Sequence, residues 1–113
     1  MISIKLVLWL LFTHWVADFL MQSAWMAQNK SKQLDALAMH CLTYGGVVGL
    51  MTLNPMLGLI NGLIHFPVDF VTSRINAKLW EEKKTHWFFV CIGLDQFIHF
   101  CTLILTQYFL NTH

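Results

Sequence analysis

Histidine and aspartate recur in pairs along this sequence, and the two members of each pair are four positions apart. The pairs are His14 with Asp18, His65 with Asp69, and Asp95 with His99. On an α-helix this spacing places both side chains on one face, one turn apart. Imidazole nitrogens and carboxylate oxygens together bind Zn, Mn or Fe without any thiolate. The pattern therefore predicts a site for a divalent metal.

A seventh residue of the same kind, His40, lies between the first two pairs, and Tyr44 follows it by four positions. Seven donors exceed the four ligands of one tetrahedral zinc. Either two metals bind together, or some residues orient the ligating histidines. We expect five residues to be metal ligands: His14, Asp18, His65, Asp69 and His99. Asp95 and His40 are expected to act as ligand, general base or orienting partner, with a metal-activated water for hydrolysis.

Four apolar stretches carry these residues, and short polar or helix-breaking segments separate them. We predict helices over 2–26, 36–53, 56–72 and 87–110, and a charged segment over 74–86. Stretches of ~17–25 residues match the ~30 Å hydrocarbon thickness of a bilayer. Sustained alternation with period two, which a barrel strand requires, is not found. The predicted fold class is all-α, a single integral membrane domain of 113 residues forming a four-helix bundle.

Composition supports a lipid environment. Apolar residues make up 57% of the chain and charged residues 12%, about half the roughly 25% that is usual for a soluble domain. So short a chain cannot bury this much apolar surface in a soluble core, so the lipid bilayer is the predicted partner. The net charge of +1 gives no basic field that would favour nucleic acid. Three cysteines lie inside apolar runs without a CxxC pair, which favours plain packing.

The basic residues predict the orientation in the membrane. If four helices alternate, both termini and the turn at 54–55 share one side, which carries Lys5 alone. The opposite side carries the other basic residues: Lys30, Lys32, Arg74, Lys78, Lys83 and Lys84. The positive-inside rule then predicts an inner-membrane protein with cytoplasmic loops and periplasmic termini. The first apolar stretch is read as a retained helix rather than a signal peptide, since no A-x-A site ends it.

In this topology all seven His and Asp residues fall in the cytoplasmic half or the middle of the bilayer. An aspartate at the centre of a membrane helix costs ~2.5–3.5 kcal/mol on insertion scales, so these groups need partners. The carboxylates are protonated, pair with histidines or bind a cation. Arg74, just beyond Asp69, has two readings: part of a solvated segment, or a contact for an anionic group.

The ordered motifs resemble a known family. Five segments carry the resemblance: His14-Trp-Val-Ala-Asp18-Phe-Leu-Met-Gln22, Asn29-Lys30, His40, His65-Phe-Pro-Val-Asp69-Phe70 and Asp95-Gln96-Phe-Ile-His99. They are similar to a family of small bacterial and phage membrane proteins, catalogued as domain of unknown function 3307. Gln22, Lys30 and Gln96 match its pattern as well. The resemblance covers nearly the whole chain and implies a small membrane protein, without implying an activity.

A looser similarity is to inner-membrane metal-dependent hydrolases, and it implies ligand roles for His14, Asp18, His65, Asp69, Asp95 and His99. The preferred hypothesis is thus a membrane-embedded hydrolase that acts on an amphiphilic or lipid-linked substrate from the cytoplasmic side. A second hypothesis is a small transporter or proton pathway, which requires a homo-oligomer of so few helices. A third is a holin-like or interaction subunit without chemistry, in which the small residues Gly45, Gly46 and Gly49 matter more.

Overall fold

The computed structural model describes residues 3–111, and all regular secondary structure in that range is helical. Residue 2, where the first helix is expected to begin, lies outside the described residues. In chain order the elements are α1 (Ile4–Trp15), a π-helical segment (Val16–Leu20), α2 (Ala24–Asn29), α3 (Leu34–Thr52), α4 (Pro55–Glu81) and α5 (Thr85–Asn111). The all-α class is confirmed.

The first apolar stretch differs from the single helix expected over 2–26. The backbone widens into the π-helical segment, closed by a hydrogen bond of 2.9 Å from the Met21 amide to the Val16 carbonyl, five residues back. A short break follows. The helix then restarts as α2, where Ser23 Oγ accepts a hydrogen bond from the Met26 amide at 3.2 Å. A serine cap of this kind supplies a partner for one of the free amides at a helix start.

The remaining helices match three predicted stretches with altered ends. α3 begins two residues earlier than expected, and α4 begins at Pro55, one residue after the capping side chain of Asn54. The largest difference is in the charged segment 74–86, because α4 continues through it to Glu81. Ala, Lys, Leu and Glu in that segment favour helix, and it contains no proline or glycine to end the helix. The turn comes at Lys83, whose φ is +59°.

Within residues 3–111, three helices are long and apolar enough to cross a membrane: Leu34–Thr52, Pro55–Glu81 and Thr85–Leu110. The two-residue connection between α3 and α4 makes them antiparallel, and the turn after Glu81 does the same for α4 and α5. The start of α3, the end of α4 and the start of α5 therefore share one end of the bundle, called here the loop end. α1 packs against α3 and α5, and the π-helical segment packs against α3.

Glycines bring the backbones of α3 and α4 into direct contact. A Cβ added at Gly45 would lie 2.8 Å from the Gly58 carbonyl oxygen, and one added at Gly62 would lie 3.2 Å from the Cys41 oxygen. A Cβ at Gly58 would overlap the Gly45 oxygen and would lie 2.7 Å from the Gly49 Cα. Small residues allow such an approach between membrane helices. This glycine seam lets short side chains on the two helices meet.

Replacement of Gly58 by alanine is expected to destabilise the protein by about 1–3 kcal/mol, because the new methyl group has no room between the two backbones. Gly46→Ala is the matched control, since a Cβ there meets nothing within 4 Å. Alanine at that position gains up to ~1 kcal/mol of helix propensity. Thermal unfolding in detergent micelles measures both variants. Equal melting temperatures for the two variants would contradict the close backbone contact of α3 and α4 at Gly58.

Candidate metal centre

The structure brings all seven predicted His and Asp side chains into one buried cluster. Each is less than a tenth exposed, although they come from five separate helical segments. The members are His14, Asp18, His40, His65, Asp69, Asp95 and His99. Residues that lie far apart in the sequence therefore form a single polar site inside an apolar bundle.

Four donor atoms form the centre of this cluster: Nε2 of His40, Nε2 of His65, Oδ1 of Asp18 and Oδ2 of Asp69. The two imidazole nitrogens lie 3.0 Å apart. Asp18 Oδ1 lies 2.9 Å from His40 Nε2 and 3.4 Å from His65 Nε2. Asp69 Oδ2 lies 3.4 Å and 3.8 Å from the same two nitrogens. Ligand atoms around a tetrahedral zinc, bound at 2.0–2.1 Å, are about 3.3 Å apart.

Charge at the cluster is unbalanced when the histidines are neutral. Three carboxylates, those of Asp18, Asp69 and Asp95, are buried there. One ammonium group reaches them: Lys30 Nζ lies 3.1 Å from Asp69 Oδ2, with a fifth of the side chain exposed. Two negative charges remain, and uncompensated charge away from water is costly. One divalent cation would neutralise the site.

His14 belongs to a hydrogen-bond network at the edge of the cluster. Its Nδ1 accepts from the Tyr44 hydroxyl at 2.8 Å, while its Nε2 donates to Gln96 Oε1 at 2.6 Å. The Gln96 amide nitrogen lies 3.3 Å from carboxylate oxygens of both Asp18 and Asp95. This arrangement fixes the orientation of the Gln96 amide, because only its nitrogen can donate to carboxylates. Both ring nitrogens of His14 are therefore occupied.

The Asp95–His99 pair forms the other edge of the cluster. His99 Nε2 lies 3.1 Å from Asp95 Oδ1, which also accepts a hydrogen bond of 2.7 Å from the Thr72 hydroxyl. The His99 ring stacks on the His65 ring at 3.9 Å between centroids, and the Tyr44 ring stacks on His65 at 4.1 Å. These contacts restrict how the His65 ring can turn. A held imidazole is what a metal ligand requires.

Three donor groups in the described part of the chain are compact enough to hold a cation. They are Asp18, His65 and His99; His40, His65 and Asp69; and Asp69, Asp95 and His99. His40, expected as ligand, general base or orienting partner, is in one of them, whereas His14, expected as a ligand, is in none. His40 Nδ1 and His65 Nδ1 are buried without a hydrogen-bond partner among the described residues. Such atoms are rare in native proteins and need an explanation.

The two ends of the cluster differ in polarity. Away from the loop end, buried side chains cover it with a layer of apolar residues one or two turns from the histidines: Leu10, Val48, Leu57 and Leu103. Toward the loop end lies a cavity of about 650 Å³ whose floor includes Asp69, Asp95 and Gln96. Its walls include Lys30 from the linker before α3. The cluster is thus open toward the loop end.

Four functional contacts were not predicted from the sequence. Tyr44 and Gln96 were noted without a role, and Lys30 resembled an ordinary solvated lysine in a polar linker. Thr72, three residues after Asp69, carried no distinguishing signal apart from its place on the same face of α4. Arg74 does not face the cluster: its guanidinium packs 3.7 Å above the Phe70 ring and donates to the Phe70 carbonyl oxygen.

Replacement of Gln96 by leucine is expected to destabilise the metal-free protein by about 1–3 kcal/mol, since it leaves His14 Nε2 and two carboxylates short of a buried partner. Thr102→Val on the same helix is the control, because the Thr102 hydroxyl bonds only to the Ile98 carbonyl of its own helix. Chemical unfolding in micelles with a chelator compares the two. If Gln96→Leu lowers the free energy of unfolding no more than Thr102→Val does, the hydrogen-bond network contributes nothing to stability.

Comparison with curated proteins and with solved structures finds no significant match. A family model does match, and the match covers residues 6–113, which include every residue of the cluster. The chain belongs to the family of proteins of unknown function DUF3307.

Proposed function

We propose that this chain is a membrane-embedded, metal-dependent hydrolase of an amphiphilic or lipid-linked substrate. The observation that carries the proposal is a group of four donor atoms in which two imidazole nitrogens lie 3.0 Å apart and each carboxylate oxygen lies 2.9–3.8 Å from both nitrogens, with excess negative charge when the histidines are neutral. A Zn, Mn or Fe ion bound by Asp18, His40, His65 and Asp69 would remove that charge. These distances are close to those between the ligands of a tetrahedral zinc, and imidazole with carboxylate is a donor set that suits zinc.

The second part of the proposal assigns a role to each residue near the ion. A metal held by these residues would supply a polarised substrate and an activated water molecule. Asp95, at the cavity floor and hydrogen-bonded by Thr72, takes the proton of the attacking water, and His99 at 3.1 Å stabilises that carboxyl group. The oxygen of water bonds to the acyl or phosphoryl centre, the bond to the leaving alcohol breaks, and Asp95 returns the proton to that alcohol.

The third part concerns the membrane. Residues 4–20 add a fourth span to the three long helices, forming a four-helix bundle in a bacterial inner membrane. That segment rises at most about 25 Å, slightly less than the hydrocarbon thickness. The loop end carries six of the seven basic residues, so it faces the cytoplasm and both termini are periplasmic.

Alkaline phosphatase fused after residue 113 is expected to be active, because the enzyme folds only in the periplasm. The same reporter inserted at the turn around Lys83 is expected to be inactive, since that turn is placed in the cytoplasm. The two fusions are assayed in whole cells at matched expression. The reverse pattern of activities would overturn the orientation.

Detergent-purified protein is expected to contain about one equivalent of zinc, measured by mass spectrometry after desalting. Asp18→Asn and His65→Ala are expected to lose it, because each removes one of four ligands. His14→Ala is expected to keep the stoichiometry and to bind zinc 10–100-fold more weakly, as typical for residues beyond the ligands. His86→Ala is the matched control, since that histidine is exposed and distant from the cluster.

The same preparations test the reaction. Zinc-loaded wild type is expected to hydrolyse a short-chain ester or phosphate in micelles, with loss of at least two orders of magnitude in Asp95→Asn. A wild type that takes up no metal after reconstitution would sink the proposal. It would favour the proton-pathway hypothesis, although the polar side chains Asn61 and Thr106 near the other end of the bundle bond to each other or to their own helices.

A further inference from the structure

The cavity at the loop end has an amphipathic lining. One face of α4 contributes Asp69, Ser73, Asn76 and Trp80, at helical spacings of four, three and four. Polarity falls along this face, from a carboxylate at the floor to an indole at the mouth. Opposite and beside it lie the aromatic rings of Phe19, Phe88 and Phe89. The cavity therefore offers polar contacts at its floor and apolar contacts near its mouth.

Several polar groups in this cavity lack partners within the described residues. Ser73 Oγ is buried and makes no hydrogen bond, with the residue only 7% exposed. The amide oxygen of Asn76 is likewise buried and unpaired. Buried polar atoms without partners are exceptional, and a ligand is one cause. Both atoms belong to residues that line the same cavity as Asp69 and Asp95, so a ligand there could reach them together with the carboxylates.

Lys30 adds a positive charge whose present partner is the donor oxygen of Asp69, at 3.1 Å. In this contact the Lys30 side chain is one-fifth exposed. A cation bound by that oxygen would displace the ammonium group and leave it in the cavity without a carboxylate. An anion is then its natural partner. Phosphate offers up to two negative charges and three acceptor oxygens, which can accept from both Lys30 and Ser73.

Charge balance indicates how a phosphate can enter. One divalent cation neutralises the cluster, so a phosphate dianion brings an excess of two negative charges. The donor group Asp69, Asp95 and His99 is compact enough for a second cation and shares Asp69 with the first site. Divalent cations are often held by one or two carboxylates together with substrate phosphate. Paired metals about 3.5–4 Å apart are typical of phosphatases.

We propose that the cavity binds the phosphate monoester of an apolar alcohol together with a second divalent cation at Asp69, Asp95 and His99. This inference rests on the proposed hydrolase function and names its substrate class. The oxygen of water bonds to phosphorus and the bond from phosphorus to the ester oxygen breaks. One oxygen of Asp95 would bind this cation, while its other oxygen takes the proton of the attacking water and passes it to that ester oxygen. The products are inorganic phosphate and the alcohol, whose apolar part lies against Trp80, Phe88 and Phe89.

The test uses zinc-loaded full-length protein in micelles and follows free Mn²⁺ by its electron paramagnetic resonance signal. Wild type is expected to take up about one equivalent of Mn²⁺ when inorganic phosphate is added and at least tenfold less without it. Lys30→Met is expected to weaken this phosphate-dependent uptake at least tenfold while keeping its zinc. Lys32→Met is the matched control from the same linker, and its exposed side chain lies outside the cavity lining.

A second arm separates a lipid phosphate from free phosphate. Decyl phosphate is expected to be hydrolysed, and Phe89→Ala is expected to raise KM for it at least fivefold without weakening binding of inorganic phosphate. Zinc-loaded protein that hydrolyses carboxylic esters but neither binds phosphate nor distinguishes Lys30→Met from Lys32→Met would overturn this inference and leave the hydrolase function standing. Protein without zinc would overturn the hydrolase function itself.

Discussion

Three carboxylates buried in an apolar bundle are the constraint on which the rest of this structure depends. In lipid or in a dry protein interior, each must be matched by a proton donor or a cation. The protein brings four histidines, one lysine, one glutamine and one threonine to them. Most other features, including the close contact of α3 with α4 and the apolar layer over the cluster, serve to hold these groups together away from water.

The glycine seam and the donor atoms are linked by simple geometry. Imidazole side chains are short, so two of them on neighbouring helices can bring their Nε2 atoms to 3.0 Å only if the backbones are close. Gly62 lies three residues before His65, and its Cα faces the backbone beside Cys41, the residue that follows His40. Without these glycines the helices would separate and the nitrogen atoms with them. The close packing of α3 against α4 therefore determines the distance between the two imidazole nitrogens.

Much of the cluster could be predicted from the sequence, because the evidence for it is local. A spacing of four residues places His65 and Asp69 on one face, and the alternation of helices then places the pairs at one depth. The roles within the cluster could not be predicted, since they depend on which ring nitrogen meets which neighbour. The two ring nitrogens of His14 contact Tyr44 and Gln96, whereas His40 Nε2 lies 2.9 Å from a carboxylate oxygen of Asp18 in the π-helical segment. The contact of Lys30 with Asp69 could not be predicted, because Lys30 lies in a polar linker, where most lysines are solvated.

The π-helical segment has a consequence for how this site is encoded. A turn closed between residues five apart contains one residue more than an α-helical turn, and each residue turns an α-helix by about 100°. The extra residue therefore has the effect of an insertion. It changes the direction in which Asp18 points around the helix axis, relative to Leu10 and the rest of α1. Homologous chains that differ in length by one residue between His14 and Ser23 differ in that direction, even when every site residue is present. Identity at the aligned histidines and aspartates is thus insufficient to establish the same centre, and the residue count between them carries independent information.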